Sequence, residues 1–238
     1  MKKLTVVIPC YNESGNLPGL VQEIKEAVKK PDIEVVLVNN GSTDDSAFVL
    51  EALTKDAPLV RVVTVPENQG YGYGILRGLE AAEGNYVGWM HGDLQTPFKD
   101  VLHALSAIES LGEPEDIYVK GLRKGRPWFD QFFTLGMSVF ESMLLGKKLY
   151  DINAQPNIFH RTFYEAWRNP PRDFSFDLYA LYLARMKGLR LIRIPVVFPP
   201  RTHGQSHWDT GFASKIKFIK RTVAYSLELK KHIRTKVL

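Results

Sequence analysis

Residues Leu4-Thr5-Val6-Val7-Ile8-Pro9-Cys10-Tyr11-Asn12-Glu13 decide the fold. A short β-rich apolar run closes at Pro9, and polar residues follow at once. Such a continuous run, without alternation, marks a strand covered on both faces. Asn16 then precedes Leu17, Leu20, Val21, Ile24 and Val28, which recur at helical spacing. The unit repeats. Ile33 to Val38 reads as a second buried strand, ended by Asn39-Asn40-Gly41-Ser42, and Thr43 or Asp44 can cap a helix carrying Phe48, Leu50 and Leu53. Leu59 to Val65 is a third strand, followed by a Gly-rich turn and a helix through about Ala82. Asn85 to Met90 is a fourth.

Short strands alternating with helices imply βαβ units and a parallel sheet. The expected class is α/β, doubly wound, with helices on both faces. Ligands of such sheets bind beyond the carboxyl ends of the strands. Those ends are Pro9-Cys10-Tyr11-Asn12-Glu13, Asn39-Asn40-Gly41, Glu67-Asn68 and His91-Gly92-Asp93, so polar residues collect where a ligand belongs.

The second half is less regular. Ile117 to Lys120 suits a strand, Phe129 to Leu145 and Tyr179 to Met186 suit helices, and Leu189 to Val197 suits a strand. Pro199-Pro200 and Gly204 punctuate a loop before a basic helix from Phe212. No linker or internal repeat divides the chain. We expect one domain over residues 1–211, with a first half to about 100 and a less regular second half from 101, then a basic amphipathic helix over 212–238.

At 238 residues and 45% hydrophobic, the chain can bury one substantial core. Lys and Arg outnumber Asp and Glu by 31 to 26, which suits phosphate, nucleic acid or an acidic lipid surface. No nucleic-acid motif accompanies the charge. The single cysteine, Cys10, cannot form an internal disulfide. The opening apolar run is too short for a signal peptide, and no window is apolar and long enough to span a bilayer. The expected location is cytoplasmic, with peripheral attachment to the inner face of a membrane as its extension.

Asp93 follows the fourth strand, where a carboxylate can hold Mg²⁺ or Mn²⁺ shared with substrate phosphates. A metal bridging a diphosphate neutralises charge growing on the leaving group. The plainer alternative for a lone Asp is a cap on the helix near Pro97.

Four segments together bear a family resemblance. Val6-Val7-Ile8-Pro9-Cys10-Tyr11-Asn12-Glu13 resembles the opening of family 2 glycosyltransferases, and Asn39-Asn40-Gly41-Ser42-Thr43-Asp44 resembles their D-D-G-S-T-D element. Asn68-Gln69-Gly70 with Gly78-Leu79 and Ala82-Glu83-Gly84 resembles their N-x-G…G-L…A-x-G stretch. Gly92-Asp93-Leu94-Gln95-Thr96-Pro97 resembles the segment holding their D-x-D motif. They occur in order over the first hundred residues. More loosely, Gly121-Leu122-Arg123-Lys124-Gly125-Arg126 is similar to G-x-R-x-x-R. Pro195-Val196 with Arg201-Thr202-His203-Gly204-Gln205-Ser206 is similar to a segment of the dolichyl-phosphate mannosyltransferase and undecaprenyl-phosphate sugar transferase branch.

The resemblance implies a single GT-A-like domain that inverts the anomeric carbon of a sugar taken from a nucleotide diphosphate. The acceptor would be a glycan or a lipid-linked sugar in cell-surface synthesis, or a polyprenyl phosphate. By the same resemblance Pro9, Tyr11 and Glu13 line the nucleoside and Asn40 faces the base. Asp93 ligates the metal, Arg201 and Ser206 sit by a phosphate, and Arg123 and Arg126 face the acceptor or solvent. Two departures stand out. Asn39 and Asn40 replace aspartates, and His91 replaces the first D-x-D carboxylate, so Asp93 is the one carboxylate ligand and His91 joins it at the metal, touches a phosphate or merely fills space. A third reading follows from them: a non-catalytic nucleotide-sugar-binding protein.

Inverting transfer to a hydroxyl needs a base within hydrogen-bond reach. Asp177 is preferred over Asp173, with helix capping as the alternative; a phosphate acceptor is already ionised and needs none. Gly70-Tyr71-Gly72-Tyr73-Gly74 has the wrong spacing for a dinucleotide fingerprint and reads as a tight turn. His203 and His207 read as loop residues, either of which can complete a metal shell. Trp128, Phe129, Phe132 and Phe133 read as core. Ile216, Ile219, Val223 and Leu227 with Lys215, Lys217, Lys220 and Arg221 suit either an anionic membrane or a solvated basic face.

Overall fold

Every residue from Leu4 to Ile8 is buried, as a strand covered on both faces requires. The computed structural model describes residues 2–125, 128–197 and 212–234. Strand β1 (Leu4–Cys10) leads to α1 (Leu17–Ala27), and the alternation continues through β2 (Ile33–Asn40), α2 (Ser46–Thr54) and β3 (Val60–Val65). Then come α3 (Tyr71–Ala81), β4 (Tyr86–Trp89), α4 (Lys99–Ser110) and β5 (Ile117–Lys124). The rest comprises α5 (Trp128–Leu145), β6 (Asn157–His160), α6 (Arg161–Glu165), α7 (Phe176–Met186), β7 (Arg190–Val197) and α8 (Phe212–Arg234).

One sheet has the order β3-β2-β1-β4-β6-β5-β7. Strand β1 pairs in parallel with β2 and β4, β2 with β3, and β5 with β7. Among the described strands only β6 runs antiparallel, against β4 and β5. The doubly wound, mainly parallel expectation holds. One face packs Leu4, Val6 and Ile8 against Leu20 and Ile24 of α1 and Ala104 and Ile108 of α4. The other packs Val7, Val36 and Val38 against Ile75 and Leu79 of α3 and the nearly all-buried α7.

Three local expectations change. Strand β5 continues past Lys120 to Lys124 because β7 pairs along its whole length. Gly70 to Gly74 is not a tight turn: a helix begins at Tyr71. The glycines allow close approach there. A β-carbon on Gly72 would lie 2.6 Å from the Pro171 carbonyl oxygen, and one on Gly74 would lie 2.9 Å from Asn40 Cγ. The aromatic cluster at the start of α5 is not core as a whole. Trp128 is 79% exposed and Phe132 70%, because α5 turns Ser138, Glu141 and Leu145 inward instead. The side chains of Phe129 and Phe133 lie outside the described residues.

The core also holds a lysine. Lys120 on β5 is fully buried, and its Nζ donates to the Ala154 carbonyl at 2.8 Å and to Asn157 Oδ1 at 2.6 Å. Burial lowers its pKa from 10.5 to about 7, against the attraction of Asp177. The unfolded chain therefore takes up this proton first on acidification. Stability present above pH 10.5 is lost as pH falls to about 7, and is level below. Urea denaturation of Lys120→Met across that window should show the variant gaining on wild type by about 1–3 kcal/mol as pH falls. A gap independent of pH would show that Lys120 is charged in the folded protein throughout.

Candidate functional site

Strand β1 lies between β2 and β4, so the winding of the sheet reverses there. A crevice opens beyond the carboxyl ends of strands at such a point. The rim after β1 is tied to the rim after β2. The Asn12 amide N–H donates to Ser42 Oγ at 3.1 Å, the Thr43 N–H donates to Asn12 Oδ1 at 2.8 Å, and the Glu13 N–H donates to Ser46 Oγ at 3.0 Å. Asn12 has a φ of 55°, a left-handed conformation that asparagine tolerates better than most. Asp44 accepts from the Ser14 and Ser46 amides. Burial opposes its charge, yet the hydrogen bonds from Ser46 and Ser14 leave its pKa lowered. Asp44 thus anchors the start of α2, one residue before its N-cap position.

Tyr11 and Glu13 follow β1 on this rim, whereas Pro9 lies within the strand, opposite Val38 of β2. Tyr11 is exposed, and the Glu13 carboxylate accepts from Asn16 Nδ2 at 2.5 Å. Asn40 differs. It is buried, its Nδ2 donates to the Gly70 carbonyl at 3.0 Å, and its Oδ1 has no hydrogen-bond partner among the described residues. Its amide binds the end of β2 to the start of α3.

On the other side of β1, the chain leaves β4 through Met90, His91, Gly92 and Asp93. Asp93 is largely buried, and its Oδ1 accepts from the Gln95 N–H at 3.1 Å. Between them Leu94 has a φ of 59°, which costs roughly 1–2 kcal/mol for such a residue. Its side chain reaches α1, where a β-carbon on Gly19 would lie 3.2 Å from Leu94 Cδ1. That packing holds the strained turn, a device found at sites needing fixed geometry.

Behind His91 stands a residue that the motifs do not single out. The Tyr71 ring lies 5.6 Å from the His91 ring and stacks on Phe174 at 4.7 Å. Its hydroxyl accepts from Gln155 Nε2 at 3.1 Å and hydrogen-bonds Asp177. Burial first, then the charges of Asp177 and Asp93, push the phenol pKa well above the ordinary value, so it stays protonated.

Asp177, the expected base, is 2% exposed. Its Oδ1 accepts from Gln155 Nε2 at 3.0 Å, Asn157 Nδ2 at 3.1 Å and Trp89 Nε1 at 3.2 Å. Nor does it cap a helix, since the N-cap of α7 is Ser175. Asp173 is the peripheral carboxylate: its Oδ1 accepts from the Ser175 N–H at 2.9 Å, and Arg221 lies 3.6 Å from its Oδ2. Gln155, Asn157 and Lys120 escape a sequence reading because nothing in their spacing shows that they converge. For Tyr71 the flanking glycines are the one available signal.

Arg123 is committed to Asp151. Its Nε donates to Oδ1 at 2.7 Å, and its backbone N–H donates to Oδ2 at 2.8 Å. Burial opposes the Asp151 charge, but Arg123 outweighs it and the pKa is lowered. Arg123 borders a small cavity with Ser138, Asn153, Phe174 and Thr222. Arg126, Arg201, His203, Ser206 and His207 lie outside the described residues.

Among the described residues no three His, Cys, Asp or Glu converge on a common point. The segment that follows β4 carries the Asp93 carboxylate and the His91 imidazole. Mg²⁺ typically takes one or two carboxylates, keeps waters and completes its shell with substrate phosphates, so this pair fits a site that the donor itself finishes. The imidazole suits Mn²⁺ better than Mg²⁺.

The family model for Glycosyl transferase family 2 matches residues 5–170. An undecaprenyl-phosphate 4-deoxy-4-formamido-L-arabinose transferase from Sodalis glossinidius is 29% identical over 213 residues, covering 87% of this chain and 63% of the relative. One of the same name from Pseudomonas fluorescens is 36% identical over 110 residues, 44% of this chain and 32% of the relative. The chain thus spans under two thirds of the length of these curated relatives. Among solved structures, glucosyl-3-phosphoglycerate synthase from Mycobacterium tuberculosis, in complex with Mn²⁺, UDP and glucosyl-3-phosphoglycerate, superposes with a TM-score of 0.70 at 19% identity, covering 96% of this chain and 80% of that one. The mannosyltransferase PcManGT from Pyrobaculum calidifontis, in complex with GDP-Man and Mn²⁺, gives 0.65 at 23% identity, covering 85% and 58%. The sheet order, the crevice between β1 and β4, and a family match over most of the chain agree: this protein belongs to glycosyl transferase family 2.

Proposed function

We propose that the chain transfers a sugar, with inversion, from a nucleoside diphosphate to a phosphate carried by a polyprenyl lipid. The observation that carries the donor half is Asp93, just beyond the carboxyl end of β4, with Tyr11 and Glu13 just beyond the end of β1, its parallel neighbour. Pro9, Tyr11 and Glu13 receive the nucleoside. Asp93, with His91, holds the divalent ion. When bound, that ion neutralises charge on the departing diphosphate. The solved neighbours in complex with Mn²⁺ and UDP or GDP-Man support this reading. Asn40 acts at one remove, by fixing the end of β2.

Burial of Asp177 carries the acceptor half. A hydroxyl acceptor requires a base within reach, whereas Asp177 is enclosed by three N–H donors and Tyr71. A phosphate acceptor is already an anion and needs no base. The sequence relatives are undecaprenyl-phosphate 4-deoxy-4-formamido-L-arabinose transferases, which agrees with this choice. Asp177 is then a positioning residue that keeps Trp89, and hence the end of β4, in place. Arg201 and Ser206 supply phosphate contacts by the family resemblance. We place the protein on the cytoplasmic side, at a membrane surface. Glycan acceptors, with Asp177 as base, remain the second transferase reading, and the His91 and Asn40 replacements favour a binder without turnover as the third.

Titration calorimetry with UDP- and GDP-sugars should show Asp93→Asn weakening Mn²⁺-supported binding at least about tenfold, with metal-free binding unchanged. Equal affinities would remove Asp93 from the metal site. Transfer of radiolabelled sugar to polyprenyl phosphate separates enzyme from binder: donor binding without turnover on any acceptor defeats the proposal. In that assay Asp177→Asn should lose less than about a hundredfold in kcat, with no change in its pH profile. Loss of a pH limb would restore Asp177 as the base.

A further inference from the structure

Helix α5 is amphipathic in the opposite sense to a surface helix of a globular protein. Its buried positions include a serine and a glutamate, Ser138 and Glu141. Both Glu141 carboxylate oxygens are shut from solvent, and burial raises its pKa against a contact with Ser226 of α8. The outer face is apolar. Phe132 (70% exposed), Leu135, Val139 and Met143 (79% exposed) are spaced three, four and four residues apart. At 100° per residue they share an arc of about 80°. No acidic residue falls on that arc. Isolated exposed hydrophobics are ordinary, but a contiguous stripe along one helix marks an interaction surface.

Charge selects the occupant. Lys124 precedes the helix, and Lys147 and Lys148 follow it. Helix α8, packed alongside α5, adds an exposed Lys220. A second copy laid along this stripe would set lysines against lysines in either direction, which opposes association. An anionic bilayer satisfies both features: the apolar stripe enters the acyl boundary and the cations meet headgroups. The helix has 18 residues, about 27 Å, and none of the described helices is long and apolar enough to cross a membrane. It lies along the surface.

We infer that the outer face of α5, through Phe132, Leu135, Val139 and Met143, docks the protein on an anionic lipid bilayer. This deepens the acceptor reading above and rests on it only for its purpose. The cavity lined by Arg123, Thr134 and Ser138 lies against the inner side of the same helix, so docking brings it close to the lipid surface.

Co-sedimentation with phosphatidylcholine vesicles, with and without phosphatidylglycerol, tests the inference on the full chain. Phe132→Ser/Leu135→Ser/Met143→Ser should lower the partition coefficient at least about tenfold on anionic vesicles. Lys147→Glu/Lys148→Glu should weaken binding to anionic vesicles alone and flatten its salt dependence. Melting temperature and metal–nucleotide affinity should not move in either variant. Should the triple variant unfold, Met143→Ser and Phe132→Ser are each expected to lower partitioning singly. Equal partitioning of wild type and the apolar variants overturns the inference. So does a wild-type dimer, seen by analytical ultracentrifugation, that the triple variant disperses with vesicle binding unchanged. The vesicles contain neither donor nor acceptor. Vesicle binding without sugar transfer to polyprenyl phosphate in detergent would sink the acceptor reading and leave the docking surface standing.

Discussion

Three N–H groups from two separate regions of the chain converge on one oxygen, Asp177 Oδ1. Trp89 brings the end of β4, Gln155 and Asn157 bring the loop before β6 and its first residue, and Asp177 belongs to the first turn of α7. A fully buried indole needs an acceptor, and a buried carboxylate needs donors. Each satisfies the other. Breaking one partner of such a set leaves an uncompensated polar group, so the set holds together or fails together. The donor-side strands are joined here to the second half of the chain, four residues from Asp93. Lys120 extends the set outward through Asn157, and Tyr71 extends it toward His91.

The crevice above that hub is stiff for a different reason. Side-chain oxygens of Asn12, Ser42, Ser46 and Asp44 accept backbone N–H groups across the gap between the first two strand ends. Two non-glycine residues in left-handed conformation, Asn12 and Leu94, stand at the ends of β1 and β4. Both are held by neighbours, Asn12 through hydrogen bonds and Leu94 through packing on α1. A metal–diphosphate site with one carboxylate has few ligands to orient it, and a fixed turn around Asp93 offsets that shortage.

Much of this was legible in the residues. The buried strands, the α/β alternation and the placing of Pro9, Tyr11, Glu13, His91 and Asp93 at strand ends follow from short continuous apolar runs, from the 3.6-residue period of the helices and from punctuation by Pro, Gly and Asn. What misled was environment. Trp128 and Phe132 are aromatic and therefore expected inside, yet the helix that carries them faces the other way. Glycines at 70, 72 and 74 suggest a turn, but two of them are required by close packing within a helix. Strand β6 has four residues, begins with a polar asparagine and runs directly into α6, so no apolar run marks it.

By itself the sequence determined the order of elements along the chain and the residues that end the strands, because both depend on local patterns of polarity. Tertiary structure alone decided which of those residues meet. Asp177 became a buried hub and Asp173 a peripheral carboxylate, though they stand four apart about the start of the same helix. The difference is one of orientation: α7 packs on the sheet under Trp89, and that packing turns one carboxylate toward an indole N–H and leaves the other at the edge. No local pattern carries that information, since the donors that claim Asp177 come from residues 20 to 88 positions away.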